Sequence, residues 1–136
     1  MNQHAHDAMD LTKNQSLVMK ALTASDEPLS AYTILDKLRE HGFRAPLQVY
    51  RALDKLVEFG LVHRLESLNA FVACSHPGCD GHQTIAFMIC EGCGQVDEIT
   101  DPALARRLKK LADDAIFALN SSTIELRGLC QSCQAP

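Results

Sequence analysis

Two Cys-x-x-C pairs constrain what the second half of this chain can fold into. The first pair is Cys90 and Cys93, and the second is Cys130 and Cys133. A tight turn within each pair points its sulfurs the same way, so the two pairs can complete a tetrahedral four-sulfur site of the kind that structural zinc occupies. The spacer has room for a strand, a helix and a second strand, so the ion would tie the end of the chain to an earlier hairpin. A redox dithiol, a disulfide or an iron–sulfur site is the alternative.

The compartment that the sequence indicates favours zinc over those alternatives. Neither a signal peptide nor an apolar run of membrane length is recognisable. The six cysteines are therefore expected in a reducing compartment, where metal binding is commoner than disulfide formation. We expect a cytoplasmic protein with no membrane partner.

The first half of the chain has the element order of a winged helix-turn-helix. Helical patterns begin at Leu11, at Ser30 and at Pro46, and two short strands over 61–65 and 70–74 follow. Ser30 is a typical N-cap, and proline suits the first turn of a helix. In a winged helix-turn-helix the third helix enters the major groove of DNA, and the hairpin lies beside the backbone.

The third predicted helix is amphipathic. Its apolar face consists of Val49, Leu53, Leu56 and Val57. Its opposite face carries Gln48, Arg51 and Lys55. Arg51 suits guanine or phosphate and Gln48 suits adenine, so these three residues are candidate DNA contacts. A solvated surface helix is the alternative, and the net charge of −4 means that any positive charge for DNA must be local.

A polar, turn-rich stretch over residues 75–83 predicts a linker. It separates a winged-helix domain over 1–74, with a flexible leader over 1–9, from a second domain over 84–136. In the second domain we expect strands, then a helix capped by Asp101, and a last strand before the second cysteine pair. The predicted buried stripe of that helix is Leu104, Leu108, Leu111 and Ala115. The predicted fold class is α+β.

A second group of metal-competent residues surrounds the predicted domain boundary. Its members are His63, Cys74, His82 and Glu98, with His76 and Cys79 as possible alternates. A set of one sulfur, two nitrogens and one oxygen suits zinc, and an ion held by all four would clamp the two domains together. Each residue alone also has a structural explanation, as a wing residue, a small buried hydrophobe or a solvated strand residue.

Nothing in the sequence indicates catalysis. No nucleophile–base pattern, phosphate-binding loop or pair of carboxylates is recognisable, so we expect neither an enzyme nor a small-molecule substrate beyond the metal ion. Cysteine beside histidine could form a thiol-enzyme pair, but cysteines this close to others more often share a metal.

These motifs together resemble the ferric uptake regulator family of bacterial metal-sensing repressors. Residues 45–54 resemble its recognition helix, and residues 60–67 its wing. Residues 87–94 and 124–133 resemble its structural zinc site. The resemblance covers about residues 11–133.

The resemblance implies a homodimer that represses transcription by binding a palindromic operator in double-stranded DNA. Its C-terminal α/β domain would make the dimer, and the four paired cysteines would hold a permanent structural zinc. Tyr50 and Arg51 match the family's DNA contacts on the third helix. Tyr32 matches a contact that some members add from the second helix.

Within the family the chain is most similar to the zinc uptake regulator branch. Iron and peroxide sensors usually carry a His-His-x-His run before the first structural pair, whereas residues 76–82 hold isolated histidines. His63, Cys74, His82 and Glu98 match the regulatory ligands of the zinc branch one by one. The resemblance therefore implies two zinc sites per subunit and repression of zinc-uptake genes.

Two other functions stay open at this point. A related sensor would respond to iron, manganese or peroxide, although the thiolate of Cys74 suits zinc better. A zinc-stabilised protein-interaction module without DNA binding is the alternative of another class.

Overall fold

The computed structural model describes residues 11–74 and 85–134. The chain divides into two compact units, Met1–Pro77 and Gly78–Pro136, and each is described by itself. The predicted leader over 1–9 and linker over 75–83 lie wholly outside the described residues, and the exact domain limits stay a prediction. None of the described helices has the length and apolar character needed to cross a membrane.

The first unit contains helices followed by a β-hairpin. The helices are α1 Lys13–Thr23, α2 Ala31–Leu38 and α3 Pro46–Glu58, with a 3-10 turn at Arg39–His41 after α2. Strands β1 Val62–Leu65 and β2 Ala70–Ala73 pair antiparallel. This is the element order of the predicted winged helix-turn-helix.

Local sequence signals explain where these helices begin and end. The Ser30 side chain accepts a hydrogen bond from the backbone N–H of Thr33 at 3.1 Å, which caps α2 as predicted. Pro46 occupies the first turn of α3, where a missing N–H costs nothing. Gly42 ends the 3-10 turn with φ 98°, a conformation that glycine adopts without strain.

The core of the first unit lies between the three helices and the hairpin. Val49, Leu53 and Leu56 of α3 are fully buried, as the helical period predicts. The prediction for Val57 is wrong, since its side chain is 39% exposed. Eight residues from Val49, it lies about 80° around the helix, at the edge of the buried face.

The second unit is a three-stranded sheet with helices. Its strands are β3 Ile85–Cys90, β4 Val96–Ile99 and β5 Thr123–Gly128, and its helices are α4 Pro102–Asp114 and α5 Gln131–Gln134. The strand order is β4-β3-β5, with β3 antiparallel to β4 and parallel to β5. A parallel pair needs a crossover, which the segment containing α4 supplies. The predicted α+β fold class is confirmed.

Helix α4 differs from its prediction in one respect. Asp101 caps it, accepting from the backbone N–H of Ala103 at 2.9 Å, as expected. The predicted buried stripe is wrong: no residue of α4 is buried, Leu111 is 50% exposed, Ala115 just after the helix is exposed, and Leu104 and Leu108 are only half-buried. Periodicity predicts that a face will be covered, but it does not say that the same chain covers it.

Candidate metal centre and nucleic-acid interface

The four paired cysteines converge at one end of the sheet in the second unit. Their sulfur atoms all lie within 4.8 Å of one another. Cys90 ends β3, and Cys130 follows β5. Because β3 and β5 run parallel with Cys90 beside Gly128, both strands deliver their cysteines to the same edge. Cys93 lies in the turn after β3 and Cys133 in the short helix α5, and the Sγ atoms of Cys93 and Cys130 are 3.8 Å apart.

The backbone around Cys90 is arranged to hold a thiolate. Its Sγ accepts hydrogen bonds from the N–H groups of Cys130 at 3.3 Å, Cys93 at 3.4 Å and Gly92 at 3.3 Å. The bonds from Cys130 and then Cys93 contribute most, and they lower the pKa of the Cys90 thiol to about 6. Cys90 is therefore the thiol of this cluster that the surrounding backbone favours most as a thiolate.

The thiol of Cys133, in contrast, resists ionisation because no counter-charge balances the neighbouring sulfurs. The neighbouring sulfur of Cys130, and then that of Cys90, raises the pKa of the Cys133 thiol to about 12. Four thiolates this close would repel one another, and a divalent cation at their centre would remove that cost. The donor set, four sulfurs within 4.8 Å of one another, fits tetrahedral zinc.

Gly92 lets the backbone of the first cysteine pair approach the side chain of Cys133 closely. The cysteine spacing alone did not predict this role. A Cβ atom at this position would lie 2.9 Å from the Sγ of Cys133, inside van der Waals contact. A glycine between two cysteines was the available signal, because glycine often marks a close approach of backbone to a ligand.

The candidate regulatory ligands are only partly described. His63 lies in β1 opposite Val72, and Cys74 follows β2, where its N–H donates to the carbonyl of Leu61 at 2.9 Å. The ligand atoms of His63 and Cys74 lie within 4.8 Å of each other. Cys74 is disulfide-bonded in this structure, so a metal could use its sulfur only after reduction.

The remaining candidate ligands belong to the second half of the sequence or fall outside the described residues. Glu98 lies in β4 opposite Phe87 and is half-buried. His82 and the alternates His76 and Cys79 lie outside the residues that the structure describes. The full ligand set therefore stays a prediction.

The candidate DNA-contacting residues are distributed over α2 and α3. Gln48, Arg51 and Lys55 line one open groove on the surface of the first unit. Arg51 and Lys55 are exposed, and Lys55 forms a surface ion pair with Glu58 at 3.5 Å. Gln48, in contrast, is half-buried.

The two tyrosines that the resemblance named have different surroundings. Tyr32 on α2 is 63% exposed, which is unusual for a large aromatic side chain with no partner surface. Tyr50 on α3 is half-buried and packs against the core of the first unit.

Comparisons with known proteins agree with these features. The model of the ferric uptake regulator family matches residues 7–127. The zinc uptake regulation protein of Escherichia coli K12 is 40% identical over 124 residues, covering 90% of this chain and 72% of that protein. The ferric uptake regulation protein of Legionella pneumophila is 29% identical over an alignment of 136 residues, covering 91% of this chain and 100% of that protein.

Solved structures extend the similarity to the fold. The protein in the crystal structure of holo XcZur is 40% identical in sequence. The match covers 93% of this chain and 87% of the XcZur chain, with a TM-score of 0.83. A zinc uptake regulator complexed with zinc and DNA is 38% identical in sequence. The match covers 91% of this chain and 83% of the regulator's chain, with a TM-score of 0.81. With the family match spanning most of its residues, the chain belongs to the ferric uptake regulator family.

Proposed function

We propose that this protein is a zinc-responsive transcriptional repressor that binds operator DNA as a homodimer. The observation that carries the proposal is the 40% identity to a zinc uptake regulation protein across 90% of the chain. The fold supports it, because a winged helix-turn-helix and a four-cysteine cluster occur in one chain. The genes under its control would be those for zinc uptake, and it would act in the cytoplasm, where the genomic DNA is.

The four-cysteine cluster would hold a structural zinc. Cys90, Cys93, Cys130 and Cys133 would be its ligands, and the ion would supply the positive charge that lets all four sulfurs be thiolates. The three backbone hydrogen bonds to the sulfur of Cys90 would stabilise its thiolate before zinc binds. Zinc here would fasten the end of the chain to the end of β3, in a unit whose own buried core is small.

The regulatory zinc would be held by His63, Cys74, His82 and Glu98, with His76 and Cys79 as alternates. These residues come from both halves of the sequence, so one ion bound by all four would restrain the two units to one arrangement. A larger fraction of dimers would then present both α3 helices correctly to DNA. Zinc and operator must raise each other's affinity by the same factor, and a hundredfold effect needs about 3 kcal/mol of coupling.

DNA contact would come from α3 and the neighbouring α2. Arg51 and Lys55 supply exposed positive charge on α3, and Arg51 can also bond guanine. We include Gln48 and Tyr50 on α3 and Tyr32 on α2 in the contact surface. Exposure of Tyr32 supports its inclusion, since its ring is available to bases or sugars.

Exposed apolar side chains support the homodimer. Large hydrophobic residues of the second unit lie at the surface on β3, β5 and the segment around α4: Met88, Leu111, Ile116, Phe117, Leu126 and Leu129. Met88 and Leu126 lie side by side on β3 and β5, and exposed apolar side chains that adjoin one another often mark a protein–protein interface.

We propose no catalytic activity for the chain.

Replacing Arg51 by Ala tests DNA binding separately from protein interaction. The variant should remain dimeric and zinc-loaded, because Arg51 is an exposed side chain without a core role. Its affinity for operator should fall by at least about tenfold, the loss of one good base or phosphate contact. If Arg51→Ala binds operator as tightly as the wild type, α3 does not read DNA through this face, and a protein-interaction module becomes the better description.

A sensor of iron or manganese within the same family is the second candidate. The similarity to the ferric uptake regulation protein of Legionella pneumophila supports it, at lower identity. Metal-specific activation of DNA binding distinguishes the two candidates.

A further inference from the structure

The side-chain oxygen of Gln48 is already bonded at the start of α3. Its Oε1 accepts hydrogen bonds from the backbone N–H of Arg44 at 2.6 Å and of Ala45 at 3.1 Å. Ala45 is the N-cap residue, and its methyl side chain cannot cap the helix. Gln48 therefore supplies the side-chain hydrogen bonds that hold the first turn of α3 to the preceding loop.

These two bonds fix which way the amide of Gln48 faces. Only the carbonyl oxygen of an amide can accept from a backbone N–H, so the Nε2 group must occupy the other position. Both lone pairs of Oε1 are then in use. The groups left for a ligand are the two N–H donors of Nε2.

Because Gln48 has only the N–H donors of Nε2 left for a ligand, the base that it can recognise changes. Glutamine reads adenine with two simultaneous bonds: its oxygen accepts from the N6 amino group and its nitrogen donates to N7. The capped side chain lacks a free acceptor, so it cannot make this pair without giving up the helix cap. Guanine presents two acceptors, N7 and O6, in the major groove and needs donors only.

We propose that Gln48 is a positioning and specificity-determining residue, which caps α3 through Oε1 and selects a guanine edge through Nε2. The adenine contact expected from the sequence is thereby replaced. The proposal rests on the proposed DNA binding by α3. Gln48 is the third residue of that helix, and the first residues of a recognition helix are those that contact base edges.

Atomic substitution in the operator tests the base selected. A duplex is first enriched from a random DNA pool by the zinc-loaded wild-type protein. Each guanine in it is then replaced by 7-deazaguanine, which lacks N7, and each adenine by purine, which lacks the N6 amino group. If no sequence is enriched, the protein does not bind a specific operator, and it is the proposed function that fails. That outcome is distinct from a failure of the base contact proposed for Gln48.

The expected result is a guanine-specific loss that depends on Gln48. At one guanine in each half-site, removal of N7 should weaken wild-type binding about three- to tenfold, the worth of one hydrogen bond. The same substitution should leave Gln48→Ala binding unchanged. The proposal is overturned if removal of an adenine N6 amino group shows this pattern instead, or if no analogue distinguishes the two proteins.

Two further variants separate the cap from the base contact. Gln48→Glu keeps the acceptor for the cap and removes the donors, so it should unfold at a higher temperature than Gln48→Ala yet lose the guanine preference. A purely structural role predicts that Gln48→Glu restores that preference.

Asp101 supplies the control, because its Oδ1 caps α4 in the second unit, accepting from the N–H of Ala103 at 2.9 Å. Asp101→Ala should lower the unfolding temperature and leave the analogue profile unchanged. If Asp101→Ala abolishes the guanine preference as Gln48→Ala does, that preference follows from general loss of helix capping and the proposal fails.

Discussion

Cys90 shows how single hydrogen bonds prepare a site for its ion. Three backbone N–H groups point at one sulfur, and their positive ends stabilise the thiolate before any metal is bound. The spacing of the cysteines predicted that four sulfurs would meet. It could not predict that one of them would be ionised first, because that depends on how the backbone at Gly92, Cys93 and Cys130 aims its N–H groups.

The ionisation of Cys90 can be measured in the metal-free protein. Its pKa of about 6 lies below the value of about 8.5 for an ordinary thiol. One thiolate should therefore form as the pH rises through 6, well before the thiol of Cys133 ionises. Thiolate absorbance in the ultraviolet follows this, and Cys90→Ser should lose the component near pH 6. A titration of Cys90→Ser identical to that of the wild type would contradict this assignment.

At the level of helices and strands, residues that mark helix starts predicted the elements correctly, whereas hydrophobic periodicity did not always predict which helix faces are buried. Ser30, Pro46 and Asp101 mark helix starts because each satisfies or removes backbone donors within its own turn. The stripe of α4 and the position of Val57 depend on what lies opposite them, which helical period alone does not specify. The sequence predicts Gln48 as a DNA contact, but a glutamine three residues after an N-cap is also a capping signal, and Gln48 caps α3.

Truncation of α3 separates its buried from its exposed face. Leu56→Ala should destabilise the first unit by about 2–5 kcal/mol, because a fully buried leucine leaves a cavity. Val57→Ala, one residue further, should cost less than about 1 kcal/mol, since its side chain is 39% exposed. Denaturant unfolding measures both. Equal losses would mean that Val57 belongs to the core, as its period suggested.

The four-cysteine cluster should also decide the stability of its own unit. Cys130→Ser removes one of four sulfurs and should abolish stoichiometric zinc and unfold β5 and α5 at lower temperature. Ser132→Ala, within the same turn, should keep zinc and stability because the serine side chain offers no sulfur. Metal analysis and thermal unfolding test this. Retention of tightly bound zinc by Cys130→Ser would show that Cys130 is not a structural ligand.

At the scale of the whole molecule, the sequence could indicate a dimer only through family resemblance. The structure adds a physical reason: Met88 on the central strand β3 and Leu126 on the neighbouring strand β5 are adjacent, and each is nearly half exposed. The regulatory ligands show the limit of sequence reasoning at this scale. His63 and Cys74 are adjacent because β1 and β2 form a hairpin, whereas His82 and Glu98 lie in the other half of the sequence, beyond that hairpin.

Charge placed on the exposed sheet face should weaken the dimer. Leu126→Glu puts a carboxylate among apolar side chains, and its burial in an interface would be costly. We expect at least a tenfold rise in the dimer dissociation constant by sedimentation analysis. Thr123→Glu, at the exposed start of the same strand but on its other face, is the control and should leave the dimer intact. An unchanged dimer in Leu126→Glu would place the interface elsewhere.

We propose that zinc controls DNA binding through a site that includes Cys74. Fluorescence anisotropy of a labelled operator duplex tests it, with buffered free zinc, iron(II) or manganese(II), under reducing conditions that free the Cys74 thiol. We expect zinc alone to switch on binding at very low free concentration, and Cys74→Ser to need higher zinc while remaining folded. Activation by iron or manganese instead, or an unchanged zinc response in Cys74→Ser, would contradict zinc control through Cys74.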